Sequence, residues 1–417
     1  MSIEKLKFLK PILSPDAQLY AVEDDLNAAL AEIDEFWRSL YPEKTVIISK
    51  GTTLIQDQLQ NAEWPANEIQ AVLIPNSVTT ISYKMLGPTN LTHAFASCSS
   101  LTSITIPNSV KSIAGGTFED CSSLESITLP FIGTKAAEAG DFGSIFGGNS
   151  YEYFVPESLK SVTITGNVTS ICSSAFKSCR NLTSIVIPES VTSIGNRAFG
   201  DCTSLTSISL PFVGAELDGT SNTHFGYIFG VASPTGQGTY IPQTLTSVKI
   251  TGKNVTRIAA NAFKDCSQLT SITIPASVTS IGDGAFSSGK INSLYITDIA
   301  KWCQIEFEAN SAHPLYIADP RINNTTVKNL YLNDALVKNL VIPVGVKKIK
   351  AHAFRNCTSI TDIDIPNTVT SIGDYAFYYC KNLTRINYHG SEEEWNAISK
   401  GDDWDSNIGT YSITFAT

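Results

Sequence analysis

The 417-residue chain carries 29 basic against 39 acidic side chains, a formal charge of −10, and is 42% apolar but only 16% charged. That balance argues against nucleic acid and anionic membrane surfaces as partners. No run of 18 apolar residues is present, so insertion into a membrane as a helix is not expected.

Residues 1–13 carry lysines but no continuous apolar stretch and no small-residue cleavage site, so they do not read as a secretory signal. Ser14-Pro15-Asp16 reads as a helix start, serine as N-cap and proline in the first turn. Leu19, Val22, Leu26, Leu30, Ile33, Trp37 and Leu40 then recur at three- and four-residue steps, and Pro42 ends the helix. Two roles fit this amphipathic helix: a cap on the first coil of a repeat array, or a docking element for a second copy or another protein. A strand is expected at 45–49, and the first clear repeat opens at Val72-Leu73-Ile74-Pro75. This repeat takes 17 residues from Val78 to Phe95, against 8 from Val110 to Phe118.

From there a 23-residue unit governs the chain: LTSITIPNSVKSIAGGTFEDC at 101–121, LTSIVIPESVTSIGNRAFGDC at 182–202, LTSITIPASVTSIGDGAFSSG at 269–289 and ITDIDIPNTVTSIGDYAFYYC at 360–380. A fixed period in this range marks a solenoid. In LTSITIP, Ile272 and Ile274 alternate with Ser271 and Thr273, the pattern of a half-buried strand, and Pro275 ends it. One unit leaves an apolar face uncovered; stacked units cover it, with strands about 4.8 Å apart. About a dozen coils are expected. Phe95, Phe118, Phe176, Phe199, Phe263, Phe286, Phe354 and Phe377 should form one buried ladder. Seven of the nine cysteines (98, 121, 179, 202, 266, 357 and 380) share one repeat position and are expected as reduced packing residues.

A longer period of 81 residues overlies the short one, as in Leu101→Leu182 and Phe118→Phe199. Each block holds one long coil with LPF-x-G, FG-x-IFG and an aromatic before a later Pro. Leu129 to Ile164 is 35 residues and Leu210 to Ile250 is 40, so the loops 131–154 and 212–240 carry 12 and 17 more than a regular coil. Three coils apart, they should emerge on one side about 14 Å from each other. The coil at 291–333 is atypical, with a short helix expected at 298–303, a strand at 305–307 and a His-Pro-Leu turn. The chain closes with Ser391-Glu392-Glu393-Glu394, a capping box, and a strand at 411–415.

The pattern CxxLTSITIPxSVTSIGxxAFxxC resembles the BspA-like, or Treponema pallidum type, leucine-rich repeat, over roughly residues 70–390. The resemblance implies an α/β fold: a leucine-rich-repeat solenoid, strand-rich, with short helical turns and helical terminal caps. The division expected is an N-terminal helix or cap at 1–44, the solenoid at 45–390 and a C-terminal cap at 391–417. The resemblance also implies a bacterial surface or secreted protein that binds rather than catalyses. The expected function is a non-enzymatic scaffold for protein–protein interaction or adhesion, whose partner is a host or extracellular protein or a surface glycan. The alternative is a structural spacer or assembly subunit that oligomerises through the N-terminal helix. The unsignalled residues 1–15 leave an intracellular place open.

Candidate chemistry is sparse. His93, His224, His313, His352 and His389 have no sequence-local partner for a triad or ligand pair, and His352 is expected to be exposed. Cys303 has no activating group beside it. Asp402, Asp403 and Asp405 lack the spacing and glycine of a calcium loop, so neither a metal nor a cofactor is expected. Binding residues are instead sought in the long loops. There Phe142, Phe146, Phe225 and Phe229 share a spacing that fits the core ladder, which leaves Tyr151, Tyr153, His224, Tyr227 and Tyr240 for contact. The outward strand positions, Ser103/Thr105 through Ser293/Tyr295, are a second candidate; β-propensity accounts for them equally well.

Overall fold

The alternation of β-branched and small polar residues is translated directly into register. Val162 pairs with Ile185 and Ile208 with Val248, all inward, while Ser161, Ser184, Ser207 and Ser247 lie side by side facing out. The computed structural model describes residues 44–56, 64–85, 91–136, 138, 140–148, 154–316 and 327–416. The helix expected at 16–40 lies outside the described residues, as do Tyr151 and Tyr153. The coils stack into a solenoid of about 14 turns rather than a dozen.

One face is a ten-stranded sheet: nine strands run in chain order from Ser103–Thr105 to Asn329–Leu332, each parallel to the one a coil earlier, and Ala335–Leu336 is the tenth. This sheet is preceded by the pair Thr45–Ile47 and Ala71–Leu73 and followed by a four-stranded sheet from Asn339–Val341 to Ser412–Phe415. The sheet face is therefore interrupted, while the solenoid itself runs on. Asn333 and Asp334 both adopt positive φ (49° and 67°) and turn the chain back, so that Ala335–Leu336 pairs antiparallel with Asn329–Leu332. A two-residue turn of this hand is the favoured hairpin connection. The long first repeat is a second antiparallel excursion, Tyr83–Met85 against Leu91–His93.

All eight expected phenylalanines are buried; their rings form a ladder from Phe95 to Phe286, and Phe354 and Phe377 stack as a separate pair where one ladder was expected. Phe176 and Phe199 stack at 5.4 Å with planes 2° apart, and Phe263 and Phe286 at 5.3 Å and 8°. In each long coil two rings replace one. Phe118 meets Phe146, which meets Phe142, which meets Phe176; Phe229 and Phe225 bridge Phe199 to Phe263 in the same way. These four loop phenylalanines thus serve the core.

The break in the sheet face is bridged on the opposite side of the coil. Trp302, on the short helix Ile299–Trp302, donates from Nε1 to Ala353 O at 2.6 Å. Lys350 N donates to Cys303 O at 3.0 Å and Asn356 Nδ2 to Leu315 O at 2.9 Å. His313, Lys328, His352, Arg355 and Asn356 are buried at this junction. His352, expected to be exposed, instead lies stacked on Tyr375 (5.5 Å, 11°). The terminal helix Glu392–Ala397 begins with the expected capping box on Ser391 and Glu394, and Trp395 packs against Tyr388 at 5.3 Å.

Candidate functional site

The edge of the solenoid opposite the sheet is built from tight turns. The residue before each repeat cysteine takes a left-handed conformation: Asp120 (φ 57°), Asp201 (62°), Asp265 (61°) and Asn356 (62°). Ser97 (62°), Ser178 (63°) and Tyr379 (61°) do the same; all but Tyr379 are short polar residues, the types that tolerate that region best. The thiol that follows points inward. Cys121 Sγ donates to Phe95 O at 3.2 Å, Cys202 to Phe176 O at 3.1 Å and Cys380 to Phe354 O at 3.1 Å, each one coil back. Burial pushes the Cys98, Cys121 and Cys380 thiols up to about 12, far from the thiolate a nucleophile needs. Cys303 is fully buried and likewise raised. Of the nine cysteines only Cys172 is partly exposed. In the native protein a thiol reagent should modify Cys172 first, and Cys172→Ser should remove the fastest phase of labelling. A fast phase that persists in that variant would show that the ladder cysteines are open.

Each long coil re-enters the core through a short helix, Phe142–Phe146 or Phe225–Phe229, ended by a left-handed glycine, Gly147 (φ 87°) or Gly230 (φ 99°). The two helix starts are satisfied differently. Asp141 Oδ1 accepts from Gly143 N at 2.9 Å. In the second loop His224 stands at that position and does not cap; Gln237, fully buried, reaches back so that its Oε1 accepts from Gly226 N at 2.6 Å. The longer second loop is what carries Gln237 there.

This packing sorts the expected contact residues. His224 is buried, and its Nε2 donates to Val231 O at 3.0 Å, so its ring staples the loop and is not presented to solvent. Tyr227 is half-buried, edge-on to His224 at 6.2 Å and packed against the core. Tyr240 is 64% exposed. Phe154, not among the expected contact residues, is 56% exposed. Each precedes a proline by two residues (Phe154-Val155-Pro156, Tyr240-Ile241-Pro242) and its strand, Ser161–Ile164 or Ser247–Ile250, by seven. Those strands are three ladder steps apart, through Ser184 and Ser207, so the two aromatics stand about 14 Å apart along one edge.

Phe154 flanks a cleft of about 430 Å³ lined by Glu119, Asp120, Phe146, Pro156 and Glu157. A second cleft of about 290 Å³ shares Pro156 and Glu157 and continues past Ser178 to Arg180 and Asn181, towards Tyr240. Glu119, Asp120 and Glu157 are exposed and make no ion pair among the described residues. The edge therefore offers apolar anchors set in a mainly acidic surface.

Elsewhere the acidic groups serve the fold. Asp405 accepts from the Tyr411 hydroxyl at 2.7 Å, and Asp403 from Ser406. Among the described residues no group of three or more His, Cys, Asp or Glu is placed to hold a metal ion, and no helix is long and apolar enough to cross a membrane.

The chain matches the model of the BspA type leucine rich repeat region in six copies, over residues 91–139, 149–222, 236–317 and 324–399. Among solved structures it is similar to a leucine rich cell surface protein of Faecalibacterium prausnitzii, with 24% identity over 86% of this chain and 91% of that one and a TM-score of 0.27. It is also similar to a leucine rich repeat protein of T. pallidum, with 21% identity over 60% of this chain and 83% of that one and a TM-score of 0.22. An internalin of Listeria monocytogenes shares 11% identity over 84% of this chain and 81% of that one, with a TM-score of 0.30. No curated protein matches the chain. Its repeats, in register over most of its length, make it a member of the BspA type leucine rich repeat family.

Proposed function

We propose that the protein is a non-catalytic binding scaffold that engages a protein partner along the edge formed by its two long loops, in the manner of a bacterial surface adhesin. The observation that carries this reading is the pair Phe154 and Tyr240: two large aromatics, exposed, at equivalent positions of successive 81-residue blocks. Exposed aromatics are the usual anchors of interfaces. The repeat array sets their separation at about 14 Å, the span of about four residues of extended chain. A partner segment with two apolar side chains so spaced, and a basic residue near Glu119, Asp120 and Glu157, would fill both clefts. Tyr151 and Tyr153 belong to the same loop in sequence and are part of this proposed surface.

The surface or secreted location that the family resemblance implies completes the reading, and immunolabelling of intact cells tests it. The binding test is an array of purified extracellular matrix proteins. A Phe154→Ser/Tyr240→Ser double variant should lose about 2 kcal/mol or more of binding to any captured protein, as hot spots do, with an unchanged melting temperature. Equal affinity in the double variant would move the contact off this edge.

A further inference from the structure

The outward face of the ten-stranded sheet carries two rows of side chains in strict register. One row reads Ser207, Ser247, Ser271, Ser293, Asn329; the other reads Ser209, Lys249, Thr273, Tyr295, Tyr331, with Leu336 of the hairpin opposite Tyr331. The second row changes character at Tyr295. The rings of Tyr295 and Tyr331 lie 4.4 Å apart with planes 8° from parallel. Tyr331 is therefore flanked by a side chain on both sides, Tyr295 on one and Leu336 on the other. Tyr295 has Tyr331 on one side only; its other side looks along the row to Thr273, whose side chain is too short to cover a ring one strand away. Both tyrosines are only partly buried.

The surroundings of that open ring face are polar and hydroxyl-rich. The hydroxyls of Ser247, Ser271 and Thr273 and the ammonium of Lys249 make no hydrogen bond among the described residues. Thr297 and Asn333 are exposed beyond the tyrosines, and Asn329 Nδ2 donates to the Tyr331 hydroxyl at 3.3 Å. The complement of an aromatic face bordered by hydroxyls and amides is a molecule with C–H bonds on its faces and hydroxyls on its rim. A pyranose with equatorial substituents has that form.

We infer that the Tyr295 shelf binds a glycan of β-linked, glucose-configured pyranoses, one sugar stacking on the open face of Tyr295 over Thr273 while its hydroxyls meet Ser271, Ser293 and Lys249. The site lies on the sheet face, away from the loop edge, and stands on different residues. Because the Tyr295 ring stacks along the row, the sugar lies as the next rung, and the rest of the glycan, which runs in the plane of its rings, crosses the sheet rather than following the solenoid axis.

The probe is cellohexaose, titrated into the full chain by calorimetry. The wild-type protein should bind it. Tyr295→Leu should weaken binding at least about tenfold, equivalent to about 1.4 kcal/mol, while Tyr295→Phe keeps it because the ring face remains. Thr273→Leu places on the open side what Leu336 places on the other; it should abolish binding without lowering the melting temperature. The Phe154→Ser/Tyr240→Ser variant should bind cellohexaose as the wild type does, which separates this site from the loop edge. Absence of wild-type binding overturns the inference, as does equal binding by Tyr295→Leu and Thr273→Leu.

Discussion

Phe263→Ala should destabilise the protein by about 3–5 kcal/mol, the range for truncating a buried phenylalanine. The ring is 1% exposed and lies between Phe225 at 5.1 Å and Phe286 at 5.3 Å, so its loss opens a void between two rungs that the neighbouring coils hold in place. The backbone cannot close on that void, because Phe263 N is tied to Ala285 O at 2.7 Å. In a solenoid each coil touches only its neighbours, which sets the reach of the damage. A second truncation at Phe286 shares the same void and should cost less than its own single effect. One at Phe118, five rungs away, should add in full. Phe154→Ala, at an exposed ring, should change stability by less than about 0.5 kcal/mol. Urea unfolding of these variants provides the check. A loss under about 1 kcal/mol at Phe263 would mean that the ladder rings do not support one another.

The ladder was legible because it repeats. Ala-Phe recurs with the Ile-Pro and Val-x-x-Ile-Gly positions, and only a buried stack gives a large ring a reason to keep that register. The doubled rungs of the long coils were legible too, since FG-x-IFG holds the spacing twice. What periodicity could not show is what lies beside a position that departs from it. His352 occupies a turn position with φ 65°, where other coils carry Asn261 or Gly284, and was expected in solvent. The atypical coil before it brings His313 and Trp302 against that turn, and Tyr375 in the next coil covers the ring. His224 was misjudged for a similar reason: nothing local signals that the carbonyl of Val231 folds back onto it. The aromatic before a later Pro, common to both long coils, is Phe154 and Tyr240, the exposed pair. One visible signal went unread: Asn333-Asp334 between two apolar runs is a hairpin turn that interrupts the sheet face.

Acidification from about pH 6.5 to pH 4 should lower the melting temperature, with the loss centred on the junction near residue 350. His313 is fully buried, with the rings of Trp302 (6.0 Å) and Phe307 (5.2 Å) against it, and Nδ1 accepts from Leu315 N at 3.2 Å. The groups facing it are His352, Arg355 and Lys328, all basic. Burial first, then these charges, pushes His313 down to about 3; burial and Arg355, opposed by Asp374, push His352 down to about 4. Below pH 6.5 the unfolded chain takes up protons at both histidines and the folded chain does not, so stability falls with pH. It is complete above about pH 6.5, the unfolded value, and is fully lost only below the folded values of about 3 and 4. Each unit of displacement is worth about 1.4 kcal/mol, so the pair accounts for several kcal/mol. The carboxylates act lower. Asp364, which accepts from Asn339 Nδ2 at 2.7 Å and Asn387 Nδ2 at 2.8 Å, is held below its ordinary 3.8, and its contribution is lost only as pH falls through that depressed value. A His313→Asn/His352→Asn variant should therefore hold its melting temperature nearly constant from pH 6.5 to 4 while still failing below pH 4; asparagine tolerates the left-handed backbone at 352 and stays neutral. Trp302 fluorescence reads the same junction, because its Nε1 bond to Ala353 O spans it. If the double variant loses stability across pH 6.5–4 as steeply as the wild type, the buried histidines are not the acid-sensitive element.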